Sequence, residues 1–235
     1  MSKTEPTARG STEIDPTRSD LDAFLAEMTA TKTSGVAGTG RLIFALDATM
    51  SRKETWDMAC QLQGDMFRTV STIGGLNVQL VYYRGLDECR ASKWVSDANH
   101  LATLMTKIDC RAGHTQISKV LAQAKRETAV LKVSALVFVG DAFEEEEDEI
   151  FPIAHELARA GVPAFMFQEG NDDEVERVFR EIAKVTGGAY CRFDSGSAAQ
   201  LGQLLKAVAV FAVGGRAALE ASKGAGAIKL LTQLR

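Results

Sequence analysis

The stretch Leu42-Ile43-Phe44-Ala45-Leu46-Asp47-Ala48-Thr49-Met50-Ser51 decides how this chain folds. Five apolar residues follow one another without polar alternation, which suits a strand covered on both faces. The run ends on an aspartate, and hydroxyl residues stand two and four positions beyond it. A second run, Ala135-Leu136-Val137-Phe138-Val139-Gly140-Asp141, also ends on an aspartate, and Gly113-His114-Thr115 lies between the two.

Working outward, similar apolar runs at 78–83, 163–167 and 190–193 predict further strands, with 93–95 as a short edge strand. Helical periodicity at 54–73, 97–108, 116–129, 148–160, 173–186 and 198–213 fills the intervals. Alternation of this kind predicts an α/β fold, a doubly wound, mostly parallel central sheet flanked by helices, with one short antiparallel edge strand.

The domain occupies residues 41–213. Before it, residues 1–19 are rich in Ser, Thr, Pro, Glu and Gly and read as a disordered tail. Residues 20–40 read as a helix and a linker: Leu21, Phe24, Leu25 and Met28 recur at helical spacing, and Ser19 or Asp20 is placed to cap them. The glycines at 35, 38 and 40 precede a strand instead of following one, so they do not form a nucleotide loop. After the domain, residues 214–235 form an Ala/Gly-rich tail carrying Ile228, Leu230, Leu231 and Leu234, read as a short helix packed back on the body; a partner-docking helix is the alternative.

The chain has 235 residues, 46% hydrophobic and 25% charged, which is enough for one sizeable core. A net charge of -4 without a basic stripe gives no reason to expect nucleic acid as a partner. Cys60, Cys89, Cys110 and Cys191 are widely spaced, with no zinc-site pattern, and read as small buried hydrophobes. No apolar signal segment follows Met1, and the apolar run at 207–213 is too short to span a bilayer, so a cytoplasmic location without membrane contact is expected.

Ligands bind beyond the carboxyl ends of parallel strands, where strand order reverses. If the strands ending on Asp47 and Asp141 are neighbours there, both carboxylates enter one crevice. Thr49, Ser51 and Thr115 add neutral hydroxyls. Such hard oxygen donors suit Mg²⁺ or Mn²⁺, with water completing the octahedron. Two formal negative charges leave a dication electrophilic, ready for a further carboxylate. The competing reading of Ser51 and Thr115 is helix capping.

This order of residues resembles the metal-ion-dependent adhesion site of von Willebrand factor A domains, whose pattern is Asp-x-Ser-x-Ser, a distant Thr and a distant Asp. Here the elements are Asp47-x-Thr49-x-Ser51, Thr115 and Asp141. The resemblance covers about residues 40–212. It implies that Thr49, Ser51 and Thr115 touch the metal, and that Asp47 and Asp141 act through water or hydrogen bonds. Thr49 stands where the family usually has Ser, which restricts χ1, and Ala142 replaces a glycine often found after the last Asp. The implied function is a protein-binding module, not an enzyme, whose metal accepts an acidic residue of a partner. A ring-shaped ATPase of the AAA+ class is one partner that the resemblance suggests. The chain has no phosphate-binding loop of its own.

Two other functions compete. Asp47 after a strand could serve as the nucleophile of a Mg²⁺-dependent phosphatase, but Thr49 stands where such enzymes place a general acid. The site could also be vestigial, in a metal-independent scaffold. The run Glu144-Glu145-Glu146-Glu147-Asp148-Glu149 reads as a solvated loop starting a helix, or as an acidic rim of the site. His114 reads as a rim residue and His100 and His155 as surface groups. Trp56, Met58, Met66, Phe67 and Val70 read as the core face of a helix, and residues 84–90 as a loop before the edge strand.

Overall fold

The computed structural model describes residues 40–53, 75–194 and 198–234. The readings made for residues 1–39, for the helix at 54–73 with its core-facing residues, and for Cys60 lie outside the described residues.

β1 (Gly40–Asp47) is buried along its whole length, and side-chain alternation sends its residues to opposite faces. Leu42, Phe44 and Leu46 enter one apolar layer, while Ile43 and Ala45 enter the other. β1 pairs in parallel with β2 (Leu76–Arg84) on one side and β4 (Ala135–Gly140) on the other. β5 (Ala164–Glu169) and β6 (Tyr190–Phe193) extend the parallel sheet beyond β4. With β3 (Glu88–Ala91) antiparallel beside β2, the six-stranded order is β3-β2-β1-β4-β5-β6. Successive connections run outward in both directions from β1, which puts the reversal point between β1 and β4.

Helices cover both faces. α1 (Ala98–Met105), α5 (Ala198–Ala221) and α6 (Ala225–Leu231) lie with the Leu42 layer. α2 (Ile117–Val130), α3 (Glu147–Arg159) and α4 (Asp173–Thr186) lie with the Ile43 layer. The α/β doubly wound architecture with one antiparallel edge strand therefore stands as read from the sequence. No helix among the described residues is long and apolar enough to cross a membrane.

The edge strand is misplaced in the sequence reading. It is β3 (Glu88–Ala91), not residues 93–95; Val95 makes only an isolated antiparallel bridge to Val78. Gly85, at φ 63°, turns the chain directly after β2, and Arg84 then lies opposite Glu88 in the hairpin. The segment read as a loop is thus a tight turn and a strand. α5 also outlasts its apolar run, continuing to Ala221 across a break at Gly215. In α6, Ala227 and Leu230 pack into the core, whereas Ile228 is exposed. Beyond α6, Gln233 accepts from Tyr190 N (3.0 Å) and donates to Tyr190 O (2.8 Å), which satisfies the outward backbone groups of Tyr190 at the start of β6.

At the amino end of the sheet, Glu127 of α2 ties four segments together. Its carboxylate accepts from Arg41 Nη2 (3.0 Å), Trp94 Nε1 (2.8 Å), Gln79 Nε2 (3.0 Å) and Gln123 Nε2 (3.0 Å). The Arg41 guanidinium also stacks 3.8 Å from the Trp94 ring centre. Burial pushes the Glu127 carboxyl up, but the bonds from Trp94 and Gln79 and the charge of Arg41 outweigh it and hold the group below its ordinary 4.5. A depressed carboxylate stabilises the fold above its unfolded pKa and loses that contribution as pH falls through the folded value. Glu127→Gln is therefore expected to cost about 1–3 kcal/mol at pH 7 and to flatten the acid limb of stability against pH, measured by urea unfolding between pH 3 and 7.

Candidate metal centre

β1 and β4 are in register from Leu42 opposite Ala135 to Leu46 opposite Val139. Asp47 therefore leaves the sheet beside Gly140 and Asp141. A Cβ on Gly140 would lie 3.5 Å from Asp47 Cβ and 2.8 Å from the Phe138 ring, so the bare backbone there lets the two acidic tips approach.

Asp47 is fully buried. Its Oδ1 accepts from Thr49 N (2.7 Å) and its Oδ2 from the Tyr83 hydroxyl (2.9 Å). Burial raises its pKa to about 6, against the lowering effect of the Thr49 bonds. Tyr83 is raised well above its usual value, first by burial and then by the Asp47 charge. With each Asp47 oxygen already accepting one bond, this carboxylate is suited to hold the loop and act through hydrogen bonds.

The same loop presents the hydroxyls. Thr49 Oγ1 and Ser51 Oγ lie 3.0 Å apart; Thr49 is buried, and Ser51, in the 3-10 turn Met50–Arg52, is exposed. Adjacent ligands of an octahedral Mg²⁺ at its usual bond length are also about 3 Å apart. Asp141 Oδ1 is buried and makes no hydrogen bond, a costly state for a lone carboxylate oxygen and one that a cation or its water would relieve. The donors fit a small hard cation. Among the described residues no three His, Cys, Asp or Glu side chains are placed to hold a metal, so any hold here depends on hydroxyls.

Thr115 is reached by a second pinned loop. Arg111 N donates to Ala48 O (3.0 Å) and His114 N to Gly85 O (3.2 Å). Gly113 lies so close to Gly85 that a Cβ would stand 2.0 Å from its carbonyl oxygen. These contacts bring the Thr115 loop to the end of the sheet where Asp47 and Asp141 emerge. Thr115 is buried, and its own contacts run to Glu144: its Oγ1 accepts from Glu144 N (2.9 Å), and its N donates to Glu144 Oε2 (3.2 Å). It does not cap α2, whose N-cap is Gln116 without a side-chain bond.

Part of the acidic run does that capping. Glu145 accepts from the amides of Ile117 and Ser118 (2.9 Å for Ser118) and from the Ser118 hydroxyl (2.5 Å). Glu147 pairs with Arg177. A solvated loop is therefore an incomplete description: Glu144 and Glu145 tie the β4–α3 connection to the start of α2, where the helix dipole favours a negative charge. His114 is exposed, its Nδ1 3.4 Å from Glu144, and His100 and His155 are also exposed. Cys191 is buried, while Cys89 and Cys110 are half-buried.

Sequence reasoning missed Tyr83, Arg52 and Glu169. Arg52 follows Ser51 directly, yet it is among the most buried side chains, paired with Glu169 at the tip of β5. Burial lowers its pKa, while Asp141 and Asp47 raise it. The available signals were an arginine at the end of the hydroxyl loop and an acid at the end of a third core strand.

Two outcomes follow. In chelator at pH 7.5, Asp47→Asn should stabilise the protein by on the order of 2 kcal/mol, because an ionised carboxylate no longer has to be buried. The folded pKa is the higher one, so wild-type stability rises as pH falls from about 6 towards 4, and the gap to the variant closes; thermal melts across that range check it. Glu145→Gln should cost about 1–2 kcal/mol by weakening the hold on α2, seen as faster amide exchange at Ile117 and Ser118.

No family model matches this chain, and no curated protein matches its sequence. Solved structures do. The SpRpn10 VWA domain superposes with a TM-score of 0.55 at 12% identity, covering 73% of this chain and 94% of that one. The human COPII-coat protein Sec24c gives 0.55 at 12% identity, covering 77% of this chain and 33% of that one. The pilus adhesin SpaC from Lactobacillus rhamnosus GG gives 0.59 at 10% identity, covering 76% and 31%. The chain thus spans about a third of the coat protein and of the adhesin. Strand order, parallel register and these superpositions agree: the chain has a von Willebrand factor A-like fold.

Proposed function

We propose that this protein is a divalent-cation-dependent protein-binding module working in the cytoplasm. The observation that carries the reading is the pair of hydroxyls at Thr49 and Ser51, 3.0 Å apart, beside the orphaned Asp141 oxygen. In this reading Thr49, Ser51 and Thr115 hold Mg²⁺ or Mn²⁺, and Asp47 and Asp141 hold the ligands and waters in place. Bound there, the metal supplies a Lewis-acidic position for a partner's Glu or Asp. Three neutral hydroxyls leave most of the dication's charge unspent, which favours an anionic last ligand. Similar folds occur in a coat protein and a pilus adhesin, names that state assembly and adhesion. A ring-shaped ATPase of the AAA+ class is the partner class proposed from the sequence pattern.

A phosphatase mechanism is less well supported. Asp47 is fully buried with both oxygens engaged, which leaves no path for attack on a phosphoester, and position 49 carries no general acid.

The test is capture of proteins from the native host on immobilised full-length chain in Mg²⁺ or in EDTA. Chelation is expected to release the specific partner, and Asp47→Ala and Thr115→Ala are expected to lose it in Mg²⁺. A partner retained both in EDTA and by Asp47→Ala would overturn the reading in favour of a metal-independent scaffold.

A further inference from the structure

Arg52 is an unexpected group for a cation site. It lies one residue beyond Ser51, its side chain is 1% exposed, and it reaches Glu169 at the end of β5. β1 and β5 are separated by β4, a span of about 10 Å at ordinary strand spacing. To make this ion pair, the side chain must cross the end of β4, where Gly140 has no side chain and Asp141 follows. The charges of the Asp141 and Asp47 carboxylates favour its charged form against the effect of burial. Glu169 is itself buried, so the pair sits in a poorly screened interior where a fixed charge acts over several ångströms. No partner can reach the guanidinium; what it can change is the potential at the hydroxyl loop directly before it.

We propose that Arg52 is an affinity-setting residue of the candidate metal centre: a fixed cation, held across the tip of β4 by Glu169, that weakens the binding of a divalent ion until an acidic ligand arrives to balance the charge. This inference rests on the metal reading given above. It assigns the Arg52–Glu169 pair a role in how the site is loaded, beyond holding the loop. Glu169 sets the strength of the effect. With Glu169 ionised, part of the Arg52 field is cancelled; without it, more of that positive charge acts on the site. An empty metal position is then the resting state at low cation concentration, and a partner's carboxylate and the metal bind cooperatively, because each supplies the charge that the other lacks.

The experiment measures Mn²⁺ binding to the full chain by electron paramagnetic resonance titration, with thermal melts confirming that each variant is folded. Glu169→Gln removes the Glu169 share of the charge that offsets Arg52 and is expected to weaken Mn²⁺ binding roughly threefold or more, whereas Arg52→Met with Glu169→Gln removes both charges and is expected to tighten it roughly tenfold or more. Opposite signs from two changes at the same pair cannot come from general loosening of the fold. Detectable Mn²⁺ binding in the double variant alone, with none in wild type, also supports the inference. Asp47-dependent Mn²⁺ binding that is equal in wild type and the double variant would overturn it and leave the metal reading intact. Mn²⁺ binding that survives Asp47→Ala unchanged, or its absence from every form of the protein, would overturn the metal reading and this inference together.

Discussion

The parallel pairing of β1 with β4 is the constraint on which the rest of the molecule depends. Connections run outward from this pair, one to β2 and the other to β5, so a crevice opens at the carboxyl ends between them. Register does the rest: Leu46 stands opposite Val139, so Asp47 and Asp141 leave the sheet side by side. A slip of one residue would turn every β1 side chain to the other face and exchange Leu42, Phe44 and Leu46 for Ile43 and Ala45 in their layers. The apolar pattern that builds the core therefore also fixes where the acidic tips stand.

Around that pair, structure and chemistry are hard to separate. Tyr83 is a core residue on β2, and its hydroxyl finishes the Asp47 carboxylate. Gly85 turns the β2–β3 hairpin, and its carbonyl anchors the loop that carries Thr115. Glu144 and Glu145 join the β4–α3 connection to the start of α2. The oxygen donors thus come from three segments, those after β1, before α2 and after β4, and the loops hold one another. Such cross-bracing keeps polar groups in place, and for the binding proposed above it would lower the ordering cost.

Much of this was legible in the sequence. Apolar runs, interrupted only by Gln79 in β2 and Arg192 in β6, located β1, β2, β4, β5 and β6, because strands buried on both faces leave few positions for polar residues. The order of Asp47, Thr49, Ser51, Thr115 and Asp141 was also legible, since each stands at the end of an element or in a loop. The edge strand was not. β3 is Glu-Cys-Arg-Ala, covered on one side only, and its register comes from Gly85 and the Arg84–Glu88 pair, not from hydrophobicity. Arg52 and Glu169 were hidden for a different reason. Their meaning depends on two residues 117 positions apart meeting across an intervening strand, and local periodicity contains no trace of that. The acidic run was half legible: its charge was evident, but which carboxylates bind amides depends on where α2 begins.

The small contact between Gln233 and Tyr190 has a consequence for how the molecule meets others. An open sheet has two rims, and an unpaired rim invites another chain to add a strand. At β6 a side-chain amide supplies both a donor and an acceptor to Tyr190, imitating one rung of a neighbouring strand. At the opposite rim, β3 is short and carries Glu88 and Arg90, which discourage stacking by a second copy. Lateral growth of the sheet is discouraged on both sides. Among the described residues, both rims of the sheet are thus blunted, and a second copy of this chain finds no long bare strand on which to extend it.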